Sequence, residues 1–107
     1  MTEEQLQAHI FQYHWNNYPN ERQRLFHVNN KARNKIEGNQ MKARGVVAGI
    51  SDLVYLDENR TIYIELKIEG GTQSNEQKTF EKQCIATGHK YIIVRSLDEF
   101  LTAIGKR

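Results

Sequence analysis

The sequence predicts an α/β (α+β) domain, a small mixed β-sheet flanked by helices, in the order α-β-(α)-β-β-α-β-α. Three observations carry this. An apolar stripe at helical spacing opens the chain and stops at Pro19. Two short runs rich in β-branched residues flank the turn sequence Asp57-Glu58-Asn59-Arg60. Two helix-start signatures, Ser74 with Gln77 and Ser96 with Glu99, flank the apolar run Tyr91-Ile92-Ile93-Val94.

Each element has its own reason. Residues 3–17 read as a helix because Leu6, Ile10, Tyr13 and Asn17 share one side, with Phe11 and His14 beside them. Residues 24–28 read as a short strand. Residues 30–44 are polar, part helix and part loop, and end at Gly45. Residues 52–56 and 61–68 are paired strands, and Gly70-Gly71 breaks the second. Ser74 opens a helix over 74–87 that Gly88 stops. Residues 90–95 form the last strand, and a final helix runs from Ser96 to Gly105.

The chain of 107 residues is one domain, 1–107, with 38% apolar and 26% charged residues. That is lean for a core, but the Ile, Val and Leu residues fall in periodic blocks, which argues against disorder. No apolar run is long enough for a membrane span, and Met1-Thr2-Glu3-Glu4 lacks the features of a signal peptide. The one cysteine, Cys84, has no partner for an internal disulfide. A cytoplasmic protein without a membrane partner or small-molecule cofactor is expected.

The net charge of +2 is unevenly placed: −2 over residues 1–19, +5 over 20–44 and −1 over 45–107. The middle block holds Arg22, Arg24, Lys31, Arg33, Lys35, Lys42 and Arg44 together with five asparagines, Asn30 among them. Lys and Arg neutralise phosphates, and Asn bonds phosphate oxygens or base edges. These residues are therefore candidates for DNA binding, on a segment expected to order on its partner. The alternative is a solvated helix face or loop.

The chemistry concentrates in residues 52–67. A turn centred between Glu58 and Asn59 sets Leu56 opposite Thr61, Val54 opposite Tyr63 and Asp52 opposite Glu65. Lys67 projects from the same face as Glu65, and Ile62, Ile64, Leu66 and Ile68 form the core-facing set. Both carboxylates are expected to face solvent. Two opposed carboxylates repel, so one takes up a proton or a cation lies between them. Hard oxygen ligands favour Mg²⁺ or Mn²⁺, and a lysine beside them suits phosphodiester hydrolysis. The competing reading is a salt bridge at a strand edge.

Gly49-Ile50-Ser51-Asp52-Leu53, with Asp52 followed after twelve residues by Glu65-Leu66-Lys67, resembles the PD-(D/E)XK nuclease motif, with Ser51 in place of its proline. More narrowly, the chain resembles the VRR-NUC family of stand-alone phage and bacterial proteins and repair-enzyme domains. Phe26-His27-Val28-Asn29-Asn30, Gly45-Val46-Val47-Ala48-Gly49, Gly70-Gly71-Thr72-Gln73-Ser74 with Gln77, and Ile93-Val94-Arg95-Ser96 carry the rest of the likeness. The resemblance implies a restriction-endonuclease-like core and a metal-dependent endonuclease acting on DNA, duplex or branched as in a Holliday junction. It implies Asp52 and Glu65 as metal ligands, with the Leu66 carbonyl adding a third. Lys67 would position water or stabilise the transition state, and Gln77 would orient the lysine or substrate. An acidic residue on the first helix, Glu3 with Glu4 as its rival, would complete the site. Stand-alone members imply a homodimer, with Phe11, Tyr13, Trp15 and Tyr18 as candidates for the subunit contact.

Other residues carry less. The four histidines lack metal-ligand spacing and read as surface or half-buried side chains. Cys84 reads as a small buried hydrophobe. Arg95 is either a phosphate contact or a structural partner. Two further functions compete with the nuclease: a non-catalytic DNA- or junction-binding module of the same fold, and a scaffold or inhibitor whose basic segment binds an acidic protein.

Overall fold

The computed structural model describes residues 1–107. The elements are α1 (Glu3–Asn17), a 3₁₀ turn (Pro19–Glu21), β1 (Leu25–His27), α2 (Lys35–Ala43), β2 (Leu53–Leu56), β3 (Thr61–Leu66), α3 (Asn75–Ala86), β4 (Lys90–Val94) and α4 (Leu97–Ala103). The four strands form one sheet in chain order. β1 and β2, and β2 and β3, pair antiparallel. β3 and β4 pair parallel, so α3 is the crossover between them. This is the expected mixed sheet with flanking helices. No helix is long and apolar enough to cross a membrane.

The hairpin register is the expected one, with Leu56 opposite Thr61 and Val54 opposite Tyr63. The Asp57 N–H donates to the Arg60 carbonyl at 3.0 Å and closes the turn. Both strands are shorter than expected. β2 begins at Leu53, so Asp52 stands just before the ladder, and β3 ends at Leu66. Ile68 consequently leaves the core-facing set and is 41% exposed. The chain turns away there, ahead of Gly70-Gly71.

Alternation sorts the sheet into two faces. Leu53, Tyr55, Ile62, Ile64, Leu66 and Val94 point to one face and pack with Leu6 and Ile10 of α1 and Phe100 and Leu101 of α4. Burying each large apolar side chain contributes about 1.5–3 kcal/mol before the opposing entropy is counted. Tyr63 and Tyr91 point to the other face and meet Phe80 of α3 edge-on at 5.1 and 6.0 Å between ring centroids. Cys84 is buried on the same helix, as expected.

The caps explain the helix starts. Thr2 and Gln5 form a capping box at α1, in addition to the two expected from the sequence. Ser74 and Gln77 form the expected box at α3. The second expected box is half formed. The Ser96 hydroxyl accepts the Glu99 N–H at 3.1 Å, but the Glu99 carboxylate accepts the Arg95 N–H, one residue before the cap.

His14 is a correction, because it is fully buried rather than at the surface or half-buried. Its Nε2 lies 3.0 Å from Glu21 Oε1, and the rings of Tyr55 and Phe100 meet it edge-on. Glu21 also accepts from the Tyr55 hydroxyl at 2.7 Å and from Lys106 Nζ at 2.5 Å. Burial works against the Glu21 charge, but these hydrogen bonds outweigh it and hold the carboxyl down at about 2. The network ties α1, β2 and the last residues together.

Candidate active site

The loop before Asp52 rests directly on α3. Gly49 has φ +86°, and a Cβ there would lie 2.3 Å from the Glu76 carbonyl oxygen and 2.7 Å from the Gln77 nitrogen. Only glycine fits that approach. Ser51, in the position of the motif proline, is fully buried, and its hydroxyl donates to the Leu53 carbonyl at 3.0 Å. Asn30 Nδ2 donates to the Ile50 carbonyl at 3.0 Å. The Asp52 carbonyl accepts from the Val28 N–H at 3.1 Å and lies 2.7 Å from His27 Nδ1. The backbone on both sides of Asp52 is therefore pinned.

The Asp52 side chain completes the hairpin. Its Oδ2 accepts the Leu66 N–H at 2.8 Å. This joins the residue just before β2 to the end of β3 and sets Asp52 against Glu65. Glu65 is only 3% exposed. The expectation that both carboxylates face solvent is corrected for Glu65. α3 and its leading loop cover this face of the sheet, whereas Asp52 is half-buried. Burial raises the Glu65 pKa first, followed by the Asp52 charge and a hydrogen bond with Asp52. Lys67 opposes the shift and Glu3 adds to it, and the carboxyl is pushed up to about 8. Lys67 Nζ stands 3.8 Å from Glu65 Oε2. Its stem runs past Gly71, where a Cβ would lie 3.4 Å from Lys67 Cδ.

The choice between Glu3 and Glu4 has a geometric basis. Glu4 is committed to Lys31, with Nζ 2.7 Å from Oε1. Glu3 has no such ion pair, and it adds the smallest of the contributions that raise the Glu65 pKa. No three Asp, Glu, His or Cys side chains converge closely enough to cage a metal by themselves. The donor chemistry still fits a hard divalent cation. Two carboxylates share one spot, and the buried one has its proton affinity raised by burial and then by the other's charge, a repulsion that a cation relieves.

Gln77 is divided. Its Oε1 accepts the Ser74 N–H at 2.9 Å as part of the cap, its Nε2 has no partner within the chain, and it makes no bond to Lys67. Arg95 has a structural partner, since its Nη1 donates to the Ile68 carbonyl at 2.9 Å.

The basic block divides too. Arg22 donates to the Trp15 carbonyl and lies 4.8 Å over the Trp15 ring. Arg24 donates to the Leu56 carbonyl at 2.8 Å and lies 5.0 Å over the Tyr55 ring. Lys31 pairs with Glu4, and Arg33 with Glu37 at 2.7 Å. Asn30 is spent on the Ile50 carbonyl. Lys35, Lys42 and Arg44 are exposed and have no acidic partner. The aromatic set also mostly packs inward: Phe11, Tyr13 and Tyr18 lie against the core, and Trp15 stacks on Phe11 at 5.9 Å while remaining 39% exposed.

Sequence reasoning gave Tyr91 no place beside Glu65, although the two share a sheet face. The available signal was the period-2 alternation of β4, which puts Tyr91 on the face of Glu65 once the parallel register is known.

No protein-family model matches the chain, and no curated protein matches it. Among solved structures, the chain is similar to a VRR_NUC domain protein, with a TM-score of 0.74 and 20% identity over 97% of this chain and 85% of that one. At that identity the likeness is one of fold.

Proposed function

We propose that the chain is a divalent-metal-dependent endonuclease of the VRR-NUC type that hydrolyses DNA phosphodiester bonds. The observation that carries this reading is the buried Glu65, set beside Asp52 and 3.8 Å from Lys67 Nζ on one face of the hairpin. The shared fold supports it.

Asp52, Glu65 and the Leu66 carbonyl would hold Mg²⁺ or Mn²⁺, with Glu3 adding negative charge from α1. When bound, such an ion polarises the phosphate and lowers the pKa of a water. The chain's own residues do the rest. The bond from the Leu66 N–H orients Asp52. The Lys67 ammonium puts positive charge where charge develops on the phosphate, an effect that grows as water is excluded. Gln77 Nε2 is a free donor at the N-terminus of α3, suited to a substrate oxygen. Within the basic block, Lys35, Lys42 and Arg44 are the cations free to neutralise phosphates.

The same proposal includes a cytoplasmic homodimer acting on branched DNA. One site cuts one strand, and symmetric cleavage of a four-way junction takes two sites related by a two-fold axis. Trp15, the exposed member of the aromatic set, is the first candidate for the subunit contact.

Incubating labelled duplex and four-way-junction DNA with the protein, with and without Mg²⁺, tests the reading. Mg²⁺-dependent cleavage is expected. Binding without cleavage would instead establish the non-catalytic module, and neither outcome would leave a protein-binding scaffold. Light scattering should return about twice the chain mass, and a monomer with single-strand nicking would overturn the dimer.

A further inference from the structure

The Tyr91 hydroxyl is the one buried side-chain polar atom of the chain without a hydrogen-bond partner. Tyr91 is 7% exposed, and its hydroxyl reaches no solvent. Leaving such a group unpaired is costly, and phenylalanine would fill the same space without that cost.

The neighbourhood gives the hydroxyl a purpose. In the parallel pair of β3 and β4, Tyr63 lies opposite Tyr91 and Glu65 opposite Ile93. Tyr91 and Glu65 thus project from the same sheet face on neighbouring strands, two residues out of register, an offset that a long aromatic side chain spans. Phe80 holds the Tyr91 ring edge-on. Burial, and after it the Glu65 charge, raise the Tyr91 pKa. Gln73 also approaches the hydroxyl; its Nε2 donates to Glu81 Oε1 at 3.0 Å, and neither of its amide atoms comes within hydrogen-bond length of the Tyr91 oxygen. Glu65 in turn is short of donors, since the Lys67 ammonium stands at 3.8 Å, beyond hydrogen-bond length. An unused donor and a carboxyl lacking donors therefore share one covered face.

We propose that Tyr91 is a positioning residue for Glu65, its O–H donating to the Glu65 carboxylate and holding it turned toward Asp52. The inference rests on the nuclease reading in that Glu65 is taken as a metal ligand. Carboxylate ligands are oriented by hydrogen bonds from their neighbours, and loss of such a bond weakens metal binding.

Tyr91→Phe removes only the hydroxyl. Urea unfolding of the metal-free wild type, Tyr91→Phe, Glu65→Met and the double variant measures whether the two side chains are coupled. The expected result is that losing the hydroxyl lowers the midpoint when Glu65 is present and does not lower it in the Glu65→Met background. Equal shifts in the two backgrounds overturn the proposal. Calorimetric titration with Mn²⁺ should show about tenfold weaker binding in Tyr91→Phe, with kcat on labelled DNA lowered and KM unchanged. A hydroxyl with a purely structural role would move the unfolding midpoint and leave Mn²⁺ affinity unaltered, which also overturns the proposal. Coupling between Tyr91 and Glu65 in a wild type that binds no Mn²⁺ and cuts no DNA would uphold the hydrogen bond and overturn the nuclease reading. DNA cleavage without coupling would do the reverse.

Discussion

The Asp52 carboxylate accepts the Leu66 backbone N–H at 2.8 Å, joining the residue before β2 to the last residue of β3. This bond does two things at once. It continues the hairpin past its last ladder pair, and it fixes a charged oxygen beside the buried Glu65. Burial first, and the Asp52 charge after it, raise the Glu65 pKa.

Gly49 should be intolerant of substitution. Its φ of +86° and the 2.3 Å clash a Cβ would make with the Glu76 carbonyl leave no relaxation short of moving α3. Gly49→Ala should cost about 3 kcal/mol. Gly45→Ala, at φ +102° with nothing within 4 Å, should cost about 1 kcal/mol. Urea denaturation of both variants checks the contrast, and equal losses would contradict it.

Glu21 should shape the acid limb of stability. Its folded pKa is lowered to about 2 from an ordinary value of 4.5. A depressed carboxyl stabilises the fold fully above the unfolded pKa and loses that contribution as pH falls toward the folded one. Stability should therefore decline between about pH 4.5 and 2, and Glu21→Gln should flatten that decline. Thermal melts across this range measure it, and an unaltered slope in the variant would contradict the assignment.

The hairpin and the core were legible in the sequence because they follow period-2 alternation and a short turn, and those fix the pairing of Leu56 with Thr61 directly. The burial of Glu65 was not legible. It depends on α3 folding over the sheet face, an approach of segments far apart in the chain that no local pattern encodes. The burial of His14 was hidden for the same reason, since its partners Glu21, Tyr55 and Phe100 come from three other elements. The basic block was legible as charge, but composition does not reveal that Arg22, Arg24, Lys31 and Arg33 are spent within the chain.

That division predicts a difference in DNA affinity. Replacing Lys35, Lys42 and Arg44 by glutamine should weaken binding, and each phosphate left without its cation should take about 0.9 off the slope of log K against log salt. Arg24→Gln should lower stability more than it changes that slope, because its guanidinium is already bonded. Binding isotherms at several salt concentrations check both, and an unchanged slope in the triple variant would move the DNA path off α2.

Lys67→Ala should separate rate from affinity. A cation acting on charge that develops in the transition state lowers kcat when removed and leaves KM nearly alone. A loss of about 10²-fold or more is expected. Steady-state kinetics on a labelled junction measures it. A raised KM with unchanged kcat would make Lys67 a binding residue.

Whether Asp52 and Glu65 act as a metal-dependent catalytic pair is read most directly from Mg²⁺-dependent cleavage of labelled DNA by Asp52→Asn and Glu65→Gln beside the wild type. Both substitutions keep side-chain volume, and circular dichroism checks that the fold is retained. The wild type should cleave in a reaction that EDTA abolishes, and neither variant should cleave, with DNA binding intact in both. Wild-type rates in Glu65→Gln, or cleavage undiminished by EDTA, would contradict the pair.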